Sequence, residues 1–185
     1  MVDKERIISA MAEIINAIGE DPTREGLVDT PKRVADMFDE IFSGINEDPS
    51  KYFDTTFESD FKDSIIIKDI QFSSMCEHHF LPFYGKVHIA YIPKERRVLG
   101  LSKLVRLVNA FSRRPQLQER LTSQIARELM TNLRTEGVLV VIEAEHMCMS
   151  IRGVKQIGAK TITQASYGIF ENDIKKRNEI LSLLS

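Results

Sequence analysis

Gly85-Lys86-Val87-His88-Ile89-Ala90-Tyr91-Ile92 alternates along its length and reads as a β-strand. Ile65, Ile66, Ile67, Ile70 and Phe72, upstream, mark an earlier strand that would be its antiparallel partner. Downstream, residues 93–97 look like a turn. Ser102 caps a helix running to Ser112, and Pro115 starts a second one carrying Leu117, Leu121, Ile125, Leu129 and Leu133. Gly137 breaks that helix. Residues 138–145 are β-branched and apolar and give a third strand. Residues 149–154 and 160–170 read as a closing hairpin, and residues 172–184 as a last helix. The core order is strand, strand, helix, helix, strand, strand, an α+β pattern.

The N-terminal part is helical. Apolar residues Ile7, Ile8, Met11, Ile14, Ile15 and Ile18 lie at helical spacing, and Gly19 closes that element. Thr30-Pro31 supplies an N-cap and a first-turn proline for a second helix. Val34, Met37, Phe38, Ile41 and Phe42 form its buried stripe, and Gly44 ends it. A hinge is expected at residues 46–50, dividing the chain into a helical arm (1–50) and a main domain (51–185).

The 185 residues carry 43% hydrophobic side chains and a net charge of −2. That suits one globular domain with a real core and gives no overall nucleic-acid footprint. No apolar run reaches the ~18 residues a membrane span needs. The opening Met1-Val2-Asp3-Lys4-Glu5-Arg6 has no apolar signal region. The expectation is a cytoplasmic protein with no membrane and no nucleic-acid partner.

Both cysteines and three of the four histidines fall in two short segments, Cys76-Glu77-His78-His79 and His146-Met147-Cys148, about seventy residues apart. Thiolate and imidazole are preferred zinc ligands, and two Cys with one His fill three tetrahedral positions. The open fourth position suits a catalytic metal rather than a closed structural one. Spare histidines would then stand beside a bound water for acid–base work. A disulfide is the competing reading, but nothing points to an oxidising compartment. Spacing alone does not decide between His78 and His79 as the ligand.

Other residues have two readings each. Ser102, Lys103 and Arg106 sit at a helix start, and the two cations share a face that suits a phosphate chain. They would equally make a solvated basic face. Gln118 and Glu119 also lie near a helix start. A carboxylate there can accept from the N1–H and amine of guanine, or simply complement the helix dipole. Arg152 lies four residues past Cys148, an offset that on a strand puts both side chains on one face. His88 is opposite in facing to Val87 and Ile89 and reads as structural or solvent-facing.

Four motifs in order resemble the GTP cyclohydrolase I family: residues 76–80, 100–106, 114–121 and 146–153. Pro22-Thr23-Arg24-Glu25-Gly26-Leu27 and Thr30-Pro31-Lys32-Arg33-Val34-Ala35 are similar to it as well. The resemblance implies the tunnelling fold, a four-stranded antiparallel sheet with two helices between its second and third strands. It implies a ring-like homo-oligomer, a decamer of two stacked pentamers with active sites between subunits. It implies Zn2+ on Cys76, His79 and Cys148, with His146 protonating the purine imidazole ring and His78 as a second acid–base group near the ribose. Gln118 and Glu119 would recognise guanine. Ser102, Lys103, Arg106 and Arg152 would contact the triphosphate, joined by Arg33 from a neighbouring subunit. The implied reaction converts GTP and water to 7,8-dihydroneopterin triphosphate and formate, the first step of folate or pterin biosynthesis. Residues 157–164 depart from the Ser/Thr-rich version of the family pattern. The alternatives are another purine or pterin enzyme of the same fold and a non-enzymatic zinc-stabilised assembly. Metal removal separates the last of these, because a structural site loses its fold and a catalytic one only its activity.

Overall fold

The computed structural model describes residues 2–184. Lys4–Ala17 (α1) and Thr30–Ile41 (α2) form the arm, followed by a 3-10 turn at Pro49–Phe53. Then come Thr56–Glu58 (β1), Ile65–Cys76 (β2), Pro82–Pro93 (β3) and Arg97–Leu99 (β4). Leu101–Ser112 (α3), Pro115–Gln116 (β5) and Gln118–Asn132 (α4) lead to Thr135–His146 (β6) and the helical turn Met147–Ser150 (α5). Lys160–Gly168 (β7), Ile169–Asn172 (α6) and Ile174–Leu184 (α7) complete the fold.

The main sheet has the order β5-β2-β3-β6-β7. Its four long strands are antiparallel, and the two-residue β5 joins β2 in parallel. Helices α3 and α4 connect the second and third long strands and cover one face. Leu104, Leu107, Val108, Phe111, Leu121, Ile125 and Leu129 from these helices interlock with Val87, Ile89, Val140 and Ile142 of the sheet. The opposite face is covered at one end, where Phe170 and Ile180 pack on Ala90, Ile92 and Leu139. This is the tunnelling fold that the family resemblance implied, and the strand and helix order read from the sequence agrees with it.

The bulge in β2 between Ile67 and Ile70 accounts for His88. Asp69 takes φ 60°, and its N–H donates to His88 Nδ1 at 3.2 Å. His88 is thus a buried structural acceptor, and burial holds it below the ordinary imidazole pKa. Protonating Nδ1 would remove the acceptor that the bulge needs.

Several local expectations are corrected. Pro115 opens no helix. Pro115 and Gln116 pair with Met75 and Cys76, and α4 begins at Gln118. The carbonyls of Ser112 and Arg114 turn instead to the Ser74 hydroxyl, so the chain is extended before α4 begins. Residues 149–154 form no strand: α5 runs straight into turns, with Gly153 and Gly158 at positive φ, and Gln156 N–H closes the loop on the Met149 carbonyl at 2.9 Å. Gly100, not Ser102, precedes α3, and Asp29 precedes α2. The strand placed at 138 starts at Thr135, whose hydroxyl donates to the Ile92 carbonyl of β3 at 2.6 Å, and the β1–β4 ribbon had no clear alternation to reveal it.

The expected hinge is an ordered capped turn, with the Asp48 carboxylate accepting from Ser50 N–H. The arm is tied down nearby. Gly44 N–H donates to the Arg113 carbonyl at 3.0 Å, and the half-buried Arg114 guanidinium donates back to the Gly44 carbonyl at 2.6 Å.

Gly85 is the tightest point of the sheet, because a Cβ there would lie 1.9 Å from the Glu143 carbonyl oxygen and 2.7 Å from Ala144 Cα. Gly85→Ala is expected to destabilise the fold by about 3 kcal/mol, since backbone rather than a flexible side chain is in the way. Gly100→Ala, where the new Cβ would come no closer than 3.4 Å to a Phe57 ring carbon, serves as the control. Equal urea midpoints for the two variants would contradict the close approach at Gly85.

Candidate metal centre and active site

Cys76 ends β2, is 6% exposed, and begins the turn into β3. Phe80 N–H donates to the Cys76 carbonyl and Cys76 N–H to the Leu81 carbonyl, each at 2.9 Å. Phe80 closes the turn at φ 52°, a left-handed conformation costing about 1 kcal/mol for a non-glycine residue. Its ring meets Phe42 of the arm edge-on at 5.8 Å. Glu77 is held to Arg120 of α4 by two contacts of 2.5 and 2.8 Å, which anchors the turn from its other side.

β6 arrives on the other flank of β3. Phe83 pairs with His146 and Pro82 with Met75, so the start of β3 lies between the ends of β2 and β6. Two residues on, α5 carries Cys148 to Cys76. One ligand atom each from Cys76, His79 and Cys148 lies within 4.8 Å of the other two. Both cysteines are free thiols.

Two sulfurs and an imidazole nitrogen are the donor set of a borderline-soft divalent cation. Bond lengths of ~2.0–2.3 Å would hold tetrahedral ligands roughly 3.3–3.8 Å apart, so a small closure suffices. Burial pushes the Cys148 thiol up, and the adjacent Cys76 sulfur adds to the shift. A bound cation would reverse that balance by stabilising both thiolates.

The other expected site residues divide into two groups. His78 is exposed beside His79, the ring centroids 6.3 Å apart and nearly perpendicular. Arg152 Nη1 lies 3.0 Å from His79 Nε2. It reaches there from the turn after α5 and not from a strand, so a direct contact takes the place of the expected shared strand face. His146 stacks on Phe83 at 4.6 Å with an interplanar angle of 2°. Burial lowers the His146 pKa, an effect the Glu119 carboxylate opposes. Gln118 is turned inward and its Oε1 is 2.7 Å from His146 Nε2.

Ser102 and Lys103 start α3 away from this group, and Arg106 lies a turn further along the helix, which runs back toward Ser74. They follow β4, whose Leu99 N–H donates to Tyr91 Oη, and Tyr91 pairs with Ile65 at the start of β2. Cys76 is at the other end of that strand, roughly 35 Å away at 3.3 Å per residue. Arg33 lies exposed on α2, paired with Asp29 at 3.2 Å.

Phe83, Arg120, Thr122 and Thr163 belong to the site's support and were not singled out from the sequence. Their roles depend on cross-strand and helix–sheet pairing, which residue spacing does not carry.

Sheet and cluster together define a tunnelling-fold enzyme with a Cys-His-Cys candidate metal centre. The family model of GTP cyclohydrolase I matches residues 7–185. The chain is 58% identical to GTP cyclohydrolase 1 of Carboxydothermus hydrogenoformans over 184 residues, covering 100% of this chain and 96% of that one. It is 57% identical over 183 residues to the Bacillus pumilus protein of the same name, covering 99% and 97%. To that of Bacillus subtilis it is 57% identical over 180 residues, covering 97% and 95%. The chain belongs to the GTP cyclohydrolase I family.

Cobalt provides a direct reading of the centre. The metal-stripped protein is expected to take up one Co2+ per chain, giving sulfur-to-cobalt charge-transfer absorption and the visible bands of a tetrahedral ion. Cys148→Ser should weaken both and lower affinity roughly 100-fold or more, much as losing a supporting group does. An unchanged spectrum in that variant would rule Cys148 out as a ligand.

Proposed function

We propose that this chain is a zinc-dependent GTP cyclohydrolase, converting GTP and water to 7,8-dihydroneopterin triphosphate and formate at the first step of folate or pterin biosynthesis. The observation that carries the reading to particular residues is the meeting of Cys76, His79 and Cys148 beside the buried His146. Residues 51–185 are the catalytic domain and residues 1–50 its helical arm. Zinc on the three ligands would lower the pKa of a bound water toward ~7, which supplies a nucleophile at neutral pH.

The chain's own groups do the rest. Glu119 accepts from the N1–H and amine of guanine and so sets the base in register. His146 gives its proton at N7 as the bond to C8 opens. His78, exposed at the turn, exchanges protons near the ribose. Arg152 holds the first of the phosphates, a role its contact with His79 supports. Fixing both ends of the substrate keeps it in place while its rings open and reclose.

Ser102, Lys103 and Arg106 complete the triphosphate site from a neighbouring subunit, and Arg33 adds to it. The start of α3 with Ser102 and Lys103, at the opposite end of the sheet from Cys76, supports this arrangement. So does the outer edge of β7, which has no strand partner among the described residues and carries Ile162 at 66% exposure. Such an edge favours pairing with another copy. The assembly is a ring, a decamer of stacked pentamers. Among the described residues no helix is long and apolar enough to cross a membrane, and free thiols suit the reducing cytoplasm.

Two experiments test the reading. Incubation with GTP should release formate and, after oxidation and dephosphorylation, fluorescent neopterin, both abolished by a zinc chelator. A zinc-loaded, assembled sample that makes neither would sink it. Sharing between subunits is tested by co-assembling Cys148→Ser with Lys103→Ala, each expected to lose roughly 100-fold or more alone. Mixed assemblies should regain activity, because some interfaces then carry two intact halves. No recovery in verified mixed oligomers would place both halves in one chain.

A further inference from the structure

Gln118 is the first residue of α4, yet it is 2% exposed. Its amide nitrogen lies 3.1 Å from the Ile142 carbonyl oxygen, 2.9 Å from that of Thr161 and 3.1 Å from Thr163 Oγ1. Two N–H groups therefore face three acceptors, two of which are carbonyls that can only accept. Flipping the amide would press its oxygen against those carbonyls and leave both groups unsatisfied in a buried place.

The hydroxyls confirm the direction. Thr122 donates its hydrogen to the Gln118 carbonyl at 2.7 Å. The 2.7 Å contact between Thr122 and Thr163 must then be donated by Thr163. That turns the lone pairs of Thr163 toward the Gln118 amide.

One orientation is left for the oxygen of Gln118, and it faces His146 Nε2 at 2.7 Å. A carboxamide oxygen has no hydrogen to give, so Nε2 carries the proton of the neutral ring. Phe83, fully buried and parallel to the ring, fixes its plane. Among the described residues no other hydrogen bond to the imidazole is formed, so Nδ1 is the nitrogen free to exchange a proton.

We infer that Gln118 is a positioning residue that sets the tautomer and ring plane of His146, and that its side chain does not read the guanine base. The inference deepens the hydrolase reading and rests on it for the role of His146. The adjacent Glu119 keeps base recognition to itself. Thr163 extends the support to β7, within the segment that departs from the Ser/Thr-rich family pattern.

Gln118→Met removes the acceptor and keeps an unbranched chain of similar length, and Thr163→Val loosens the amide without entering the site. In Gln118→Met, kcat for formate release is expected to fall about 100-fold, the lower range for a displaced acid–base group, with KM for GTP within about twofold. Thr163→Val should shift kcat in the same direction by less, and it carries the test if Gln118→Met does not fold. A base-reading glutamine would instead raise KM about tenfold or more at unchanged kcat, and that result would overturn the inference.

A second readout does not depend on turnover. Ring 15N shifts of labelled histidine, assigned against His146→Ala and taken at alkaline pH, should show His146 protonated at Nε2 in the unsubstituted protein. Gln118→Met should show a mixture of tautomers. A ring protonated at Nδ1 in the unsubstituted protein would refute the inference. Were that protein to release no formate from GTP, the hydrolase reading would fail while the tautomer measurement still decided the role of Gln118.

Discussion

The pairing of Phe83 with His146 across β3 and β6 is the contact on which the site depends. Phe83 sits one residue beyond Pro82, which pairs with Met75 at the end of β2. One short stretch of β3 thus fixes the ends of both neighbouring strands. A slip of one residue in either ladder would turn a site side chain to the other face of the sheet. Cys76 and Cys148 would then separate, because each is reached only a residue or two beyond its strand pairing. Gly85 guards the register, since at that closeness to Glu143 and Ala144 no other residue fits. The bulge at Asp69 absorbs an irregularity in β2 farther along, with His88 accepting the N–H it exposes.

The parts of the fold legible in the sequence are those where period and burial coincide. Residues 85–92 alternate, α1 and α2 carry helical stripes, and the four long strands and two crossing helices emerge in order. Cys76, Cys148 and the adjacent pair His78 and His79 stood out because thiol and imidazole are rare and clustered here, and the family resemblance chose His79. What stayed hidden was set by partners distant in sequence. Pro115 and Gln116 have the look of a helix start until Met75 and Cys76 are beside them. Residues 149–154 have the apolar content of a strand, but the chain must first turn Cys148 back toward Cys76, and a helical turn does that in four residues. Arg152 consequently meets His79 through the loop, a contact that strand parity did not contain.

The separation of charge is equally informative. The candidate metal ligands and His146 gather at one end of the sheet, while Ser102 and Lys103 start α3 toward the other. The proposed sharing of the site between subunits would bring the two groups onto one ligand. Distributing the cations this way also spares the single chain a dense positive cluster whose mutual repulsion would oppose folding. On that proposed arrangement binding and assembly would be linked.

The two-residue strand at Pro115–Gln116 sets the phase of α4. Because Gln116 is pinned opposite Cys76, the helix begins at Gln118 rather than one turn earlier. Successive residues of a helix project about 100° apart, so when Gln118 points into the sheet Glu119 must point away from it. The inward residue meets the carbonyls of Ile142 and Thr161 and the His146 ring, while the outward one stays exposed with its charge near that ring. Two similar side chains, adjacent in sequence, are thereby given different tasks by the strand before them. Had the helix begun at Pro115, the position at 118 would lie a full turn inside it with its side chain subject to a different facing. The helix boundary at Gln118 and the inferred role of that residue are therefore one structural fact, visible first in the backbone and then in the chemistry it positions.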